Sequence, residues 1–186
     1  MLRTELEIEH IEQIDGLKLI RLKLFPDTHG YFVKLHNEYG LGALGFSEKF
    51  KQLQLLSLIF MDNHSYSKCG VLRGLHAQPG MGKLVSVISG EIYDVAIDTT
   101  SMSKTFGKWY SVVLDEKTRT GFWIPDGFLH GFYVLSEKRA HVTYKCTAIY
   151  SEQVEFSVNP LDPELSVDLH INRSHQNLKC LSLKKE

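Results

Sequence analysis

Gly70-Val-Leu-Arg73-Gly74-Leu-His76-Ala-Gln78-Pro-Gly-Met-Gly-Lys83-Leu-Val-Ser-Val-Ile-Ser-Gly90 is the stretch on which the fold turns. Period-two alternation puts Gly74, His76 and Gln78 on one side of an extended chain and Leu75 and Ala77 on the other. With Leu75 packed outward, His76 points into the lumen of a barrel, where a small-molecule site belongs. Arg73 has the opposite parity and reaches that site only if Gly74 permits a bulge. A His beside a Lys in such a mouth suits removal of a proton next to a carbonyl, the cation steadying the enolate.

The flanks agree with a β architecture. Residues 84–88 and 91–98 read as two strands around a tight turn at Ser89-Gly90. In the second of these Tyr93, Val95 and Ile97 share a face while Asp94 and Asp98 lie on the other. Further strands are predicted over 109–114, 120–124, 131–135 and 141–148, with Pro125-Asp-Gly127 as a loop. Upstream, 17–25 reads as a strand, Asp27-Thr-His-Gly30 as a turn, 47–53 as a short helix capped by Ser47 and 55–60 as a buried strand. Asn159-Pro-Leu-Asp-Pro163 breaks the tail, which has room for a short helix. Short strands punctuated by Gly, Pro and Asp indicate one all-β domain over 1–186, a jelly-roll barrel with short peripheral helices.

Bulk composition narrows the function. The 186 residues are 43% hydrophobic and 23% charged, with a formal net charge of -1. That length buries a substantial core, and the charge gives no general attraction to nucleic acid or to anionic membrane. The opening Met-Leu-Arg-Thr-Glu-Leu-Glu has no apolar signal region, and no apolar run reaches membrane-spanning length. Three scattered cysteines, Cys69, Cys146 and Cys180, suit packed, reduced thiols. The expected compartment is the cytoplasm.

The frame from Gly70 to Gly90 resembles the first cupin motif, and Pro125-Asp-Gly-Phe-Leu-His130 resembles the second. Two of the usual metal ligands of the first motif are replaced, the second His by Gln78 and the Glu by Lys83. An ammonium there repels a divalent ion, and His76 with His130 alone makes a poor ligand set. A metal-free site without cofactor is therefore expected. Tyr144, within His141-Val-Thr-Tyr-Lys-Cys-Thr147, is open to two readings. It is a core phenol bonded to backbone, or a general acid opposite His76.

A wider resemblance rests on ordered motifs. These are Asp62-Asn-His-Ser65, Gly70-Val-Leu-Arg-Gly-Leu-His76, Gly82-Lys-Leu-Val85, Gly90-Glu-Ile-Tyr-Asp-Val-Ala-Ile-Asp98 and Thr105-Phe-Gly107. Trp123-Ile-Pro-Asp-Gly-Phe-Leu-His-Gly-Phe132 and Tyr144-Lys-Cys-Thr147 follow. Together they resemble the dTDP-4-dehydrorhamnose 3,5-epimerase family, the cupin epimerases of nucleotide 4-keto-6-deoxysugars. The resemblance implies a homodimer acting on a small-molecule nucleotide sugar in deoxysugar biosynthesis, for surface polysaccharide or a glycosylated metabolite. It also implies roles. His76 removes the proton next to the C4 ketone, Lys83 lies near the keto oxygen, and Tyr144 reprotonates from the other side. Arg73, His130, Asn63, Gln78, His29 and Asn177 fall at binding or supporting positions.

The chain departs from the family pattern at four places. Asn177 of Ser174-His-Gln-Asn177 stands where an Asp partners the catalytic His, with Asp94 or Asp168 as alternative acids. Ala77 replaces an aromatic, Met61 a Gln, and His29 the Arg of an Asp-x-Arg-Gly turn. The last two are nucleotide contacts in the family, which opens the base to cytosine as well as thymine. Inversion at C3, at C5 or at both is compatible with the sequence. Alternative readings are a C5-only epimerase of a CDP-linked 3,6-dideoxy-4-ketosugar, a non-catalytic sugar-nucleotide-binding cupin, and a metal-dependent cupin oxygenase or isomerase.

Overall fold

Period-two alternation, with apolar residues on one or both faces, makes almost every described element a strand. The computed structural model describes residues 6–28, 30–33, 61–165, 167 and 179–180. In chain order the strands are β1 (Leu6–His10), β2 (Lys18–Leu22), β3 (Leu24–Asp27), β4 (Gly30–Val33), β5 (Met61–Lys68), β6 (Val71–Ala77) and β7 (Lys83–Ser89). There follow β8 (Glu91–Asp98), β9 (Trp109–Asp115), β10 (Thr120–Ile124), β11 (Phe128–Val134), β12 (Arg139–Cys146), β13 (Phe156–Ser157) and β14 (Lys179–Cys180). The one helical turn among the described residues is the 3-10 segment Pro163–Leu165.

Two sheets form the jelly roll. The first has the order β1-β2-β10-β7-β12-β5; the second runs β13-β6-β11-β8-β9, with β14 added parallel to β6. Between them lies the main core. Val85, Val87, Phe122, Ile124 and Val142 from the first sheet meet Ile92, Ala96, Leu114, Phe132 and Val134 from the second. Burying these side chains contributes about 1.5–3 kcal/mol for each large one. A second cluster covers the outer face of the second sheet, where Leu72, Leu75, Tyr93, Val95, Ile97 and Leu129 pack under Val158, Leu165 and Val167. Strand β8 is thus buried on both faces, and its alternation is the expected one, with Tyr93, Val95 and Ile97 outward and Asp94 inward.

Several expectations are corrected. The strands on either side of Ser89-Gly90 do not form a hairpin: β7 belongs to the first sheet and β8 to the second. Gly90 turns the corner alone at φ +91°, with the Arg139 carbonyl 2.4 Å from where a Cβ would stand. Its amide donates to Glu116 Oε2 at 2.7 Å and its carbonyl accepts from the Glu116 amide at 3.1 Å. The strand expected from 131 begins at Phe128, because Phe128–His130 already pair with Asp98–Ala96. The strand expected over 17–25 divides at Lys23, and among the described residues β3 pairs only with β4. The helix over 47–53, the strand over 55–60, His29, Asp168 and Asn177 lie outside the described residues.

Candidate active site

A cavity of about 280 Å³ opens between the sheets. From the second sheet β6 contributes His76, while the first contributes Lys83 at the head of β7 and Tyr144 on β12. Alternation is the local cause: Leu75 and Ala77 enter the outer cluster, so His76 turns inward. Asn63 of β5 borders the same space.

Electrostatics differ at each of the three groups. Burial pushes the His76 imidazole down to about 3, with Lys83 and His130 acting in the same direction, so the ring is neutral at neutral pH. Lys83 is 6% exposed, and its Nζ has no hydrogen-bond partner among the described residues. Burial lowers its pKa; Cys146, Glu155 and Asp94 oppose that shift. The Tyr144 hydroxyl bonds Ser65 Oγ at 2.9 Å. Burial raises this phenol well above its ordinary value, partly offset by the bond to Ser65. A neutral imidazole, a buried lysine amine and a protonated phenol therefore face one volume.

Arg73 reaches the cavity through the bulge its parity required. His76 opposes His130 and Arg73 opposes Phe132, so three steps along β6 match two along β11. Gly74 takes up the difference at φ +105°. The Arg73 guanidinium donates through Nε to Ser67 Oγ at 2.8 Å and through a terminal nitrogen to the Tyr66 carbonyl at 3.3 Å.

Two of the expected substrate contacts, His130 and Gln78, are bonded to protein groups. His130 does not border the cavity; it lies beneath, 1% exposed, its Nε2 hydrogen-bonded to Asp94 Oδ1 at 2.9 Å. Its ring is edge-on to His76 at 6.2 Å and to Tyr144 at 6.4 Å between centroids. Burial pushes the Asp94 carboxyl up, opposed by His130 and Lys83. Asp94 is thus the partner of His130. Gln78 borders the cavity, but its amide nitrogen donates to the Ile149 carbonyl at 2.9 Å and its oxygen accepts from the Ser151 amide at 2.8 Å. It anchors the segment that brings Tyr150 and Glu155 to the cavity rim. Neither of those two was singled out from sequence, since residues 149–155 carry no periodicity, and Cys146 was read there only as a packed thiol. Asp94 had a signal, its inward parity.

Among the described residues no three His, Cys, Asp or Glu side chains cluster as metal ligands, and no helix is long and apolar enough to cross a membrane.

The sequence profile of the dTDP-4-dehydrorhamnose 3,5-epimerase family matches residues 12–185. The chain belongs to that family. A dTDP-4-dehydrorhamnose 3,5-epimerase from Methanothermobacter thermautotrophicus is 40% identical over 157 residues, 83% of this chain and 80% of that protein. The crystal structure of an epimerase from Legionella pneumophila in complex with dTDP-4-keto-L-rhamnose is 42% identical, covers 88% of this chain and 83% of that one, and superposes with a TM-score of 0.78. A 3'-monoepimerase from Streptomyces bikiniensis in complex with dTDP-quinovose is 28% identical, covers 86% and 77%, and gives 0.71. Membership in the dTDP-4-dehydrorhamnose 3,5-epimerase family makes this protein an isomerase of the carbohydrate-epimerase kind.

Proposed function

We propose that this protein epimerises a dTDP-linked 4-keto-6-deoxysugar through an enolate, as a step in deoxysugar biosynthesis. One observation carries the reading. His76 stands on one sheet and Tyr144 on the other, across a cavity also lined by Lys83, whose Nζ has no hydrogen-bond partner among the described residues. A sugar ring lying between the sheets presents opposite faces to base and acid, as inversion requires.

His76, neutral at neutral pH, takes the proton from the carbon next to the ketone. The electron pair moves onto the C4 oxygen, where the Lys83 ammonium stabilises the growing charge in a dry site. Burial disfavours imidazolium at His76, and the enolate formed beside it supplies a counter-charge. Tyr144 then delivers its proton from the opposite face, and the enolate collapses to the ketone. Arg73 and Asn63 are suited to the nucleotide or sugar oxygens. The relatives that carry dTDP ligands support thymine as the base, and the related monoepimerase makes one-centre action as reasonable as two.

Incubation in deuterated water with dTDP-, CDP- and GDP-linked 4-keto-6-deoxysugars tests this. Mass spectrometry is expected to find solvent deuterium next to the ketone of the dTDP sugar, one label or two giving the number of centres. Ligand binding without label on any of the three would replace the enzyme reading with that of a sugar-nucleotide-binding protein.

A further inference from the structure

Lys83 opens β7 and Cys146 closes β12, and the two are Cα partners in the antiparallel register. Directly opposed residues put their side chains on the same face with Cβ atoms roughly 4.5–5.5 Å apart. Both border the cavity and both are sealed from water, at 6% and 2% exposure. The ammonium has no hydrogen-bond partner among the described residues, and the thiol is free of any disulfide. A hydroxyl or carboxylate opposite Lys83 would capture the ammonium, and an alkyl group would leave it nothing polarisable to lie against. Sulfur is a weak acceptor, so it steadies the cation without committing it.

We propose that Cys146 is a positioning residue acting through Lys83: its sulfur stands opposite the amine without bonding it, which leaves Nζ free to meet the substrate oxygen. This rests on the enolate chemistry proposed above. The other charged or titratable groups that act on the pair are Asp94 on β8, His76 on β6, Asp62 on β5, Tyr144 on β12 and Glu155 at the rim. None of these is the direct cross-strand neighbour of Lys83.

The test uses the full chain with Cys69→Ser and Cys180→Ser, so that thiolate absorbance in the ultraviolet reports Cys146 alone. A cation a few ångströms away favours the thiolate, so Lys83→Met is expected to raise the titration midpoint by about one pH unit or more. Lys83→Gln serves the same purpose should the Met variant fold poorly. In the deuterium assay Cys146→Ala is expected to lower kcat about tenfold with KM within about twofold. It also moves the alkaline limb of the rate profile to lower pH, because no thiolate then holds the ammonium charged. A midpoint unmoved by either Lys83 substitution overturns the pairing. So does an alkaline limb unmoved by Cys146→Ala. If the parent protein labels no substrate, the thiol titration still decides the pairing, while the epimerase reading falls separately.

Discussion

Inside the barrel His130 Nε2 and Asp94 Oδ1 meet at 2.9 Å, with both side chains closed to solvent. His130 lies opposite Ala96 and Phe132 opposite Asp94 in the β11–β8 register, so the two are diagonal neighbours on the inner face. They form a polar floor beneath an otherwise apolar core, behind both His76 and Tyr144. Asp94→Ala leaves a buried imidazole without its partner and is expected to destabilise the protein by about 1–3 kcal/mol. Asp94→Asn retains an acceptor and should cost less. Urea denaturation distinguishes the two; equal losses would mean that charge, and not the hydrogen bond, holds His130.

Lys83 carries a buried amine without a bonded partner among the described residues, a cost that folding tolerates and that an apolar side chain removes. Lys83→Met is therefore expected to keep or raise the melting temperature while slowing deuterium incorporation by roughly 10²–10³-fold, the scale of losing an oxyanion donor. A parallel fall in stability and rate would assign Lys83 a structural role instead.

Base and acid are separable by what each variant still does. His76→Gln should abolish label incorporation altogether. Tyr144→Phe should let His76 remove and return the proton on one face, so label enters with retained configuration while inverted product falls about 10²–10⁴-fold. Proton NMR of the sugar reads both outcomes, and inverted product at the parental rate from Tyr144→Phe would exclude the phenol as the acid.

Acid stability carries a signature of His76. Its folded value of about 3 lies below the ordinary value of 6.5, so between those limits the unfolded chain binds more protons. This contribution is complete above pH 6.5 and is lost as pH falls toward 3. Asp94, pushed upward, contributes the opposite slope above its ordinary value of 3.8. Subtracting the stability of His76→Gln from that of the parent, measured from pH 7 to pH 4, isolates the imidazole. The difference should shrink steadily with acidification, and a flat difference would contradict a buried, neutral His76.

Gly74 allows Arg73 to face the cavity. At φ +105° its missing Cβ would stand 2.5 Å from Gly131 Cα and 2.6 Å from the His130 carbonyl oxygen, both backbone atoms. Gly74→Ala is expected to cost more than the ~1–3 kcal/mol of backbone strain alone, and to weaken nucleotide-sugar binding by displacing Arg73. Calorimetry of unfolding and of ligand binding checks the two effects together.

Much of this was legible in the chain. The strands over 91–98 and 120–124 have the bounds their alternation implied, and the inward parity of His76 and Asp94 follows from the same rule. Strand β5 was not legible as a strand, since Met61-Asp-Asn-His-Ser-Tyr-Ser-Lys68 has almost no apolar alternation. It is a strand because β12 pairs with it along all eight residues, and it thereby delivers Asn63 and Ser65 to the site. The corner at Gly90 looked like a hairpin because two alternating runs beside a glycine carry the same local pattern whether they pair or part.

The sequence by itself determined which face of each strand a residue takes and which chemical groups are present, because side-chain alternation is a property of the extended backbone within a few residues. The tertiary structure alone decided which sheet each strand joins, that Asp94 serves His130, that Gln78 is tied to residues 149–151, and that Cys146 lies across from Lys83. Those pairings join atoms far apart along the chain, so they exist only after the packing of two whole sheets has fixed the register between them.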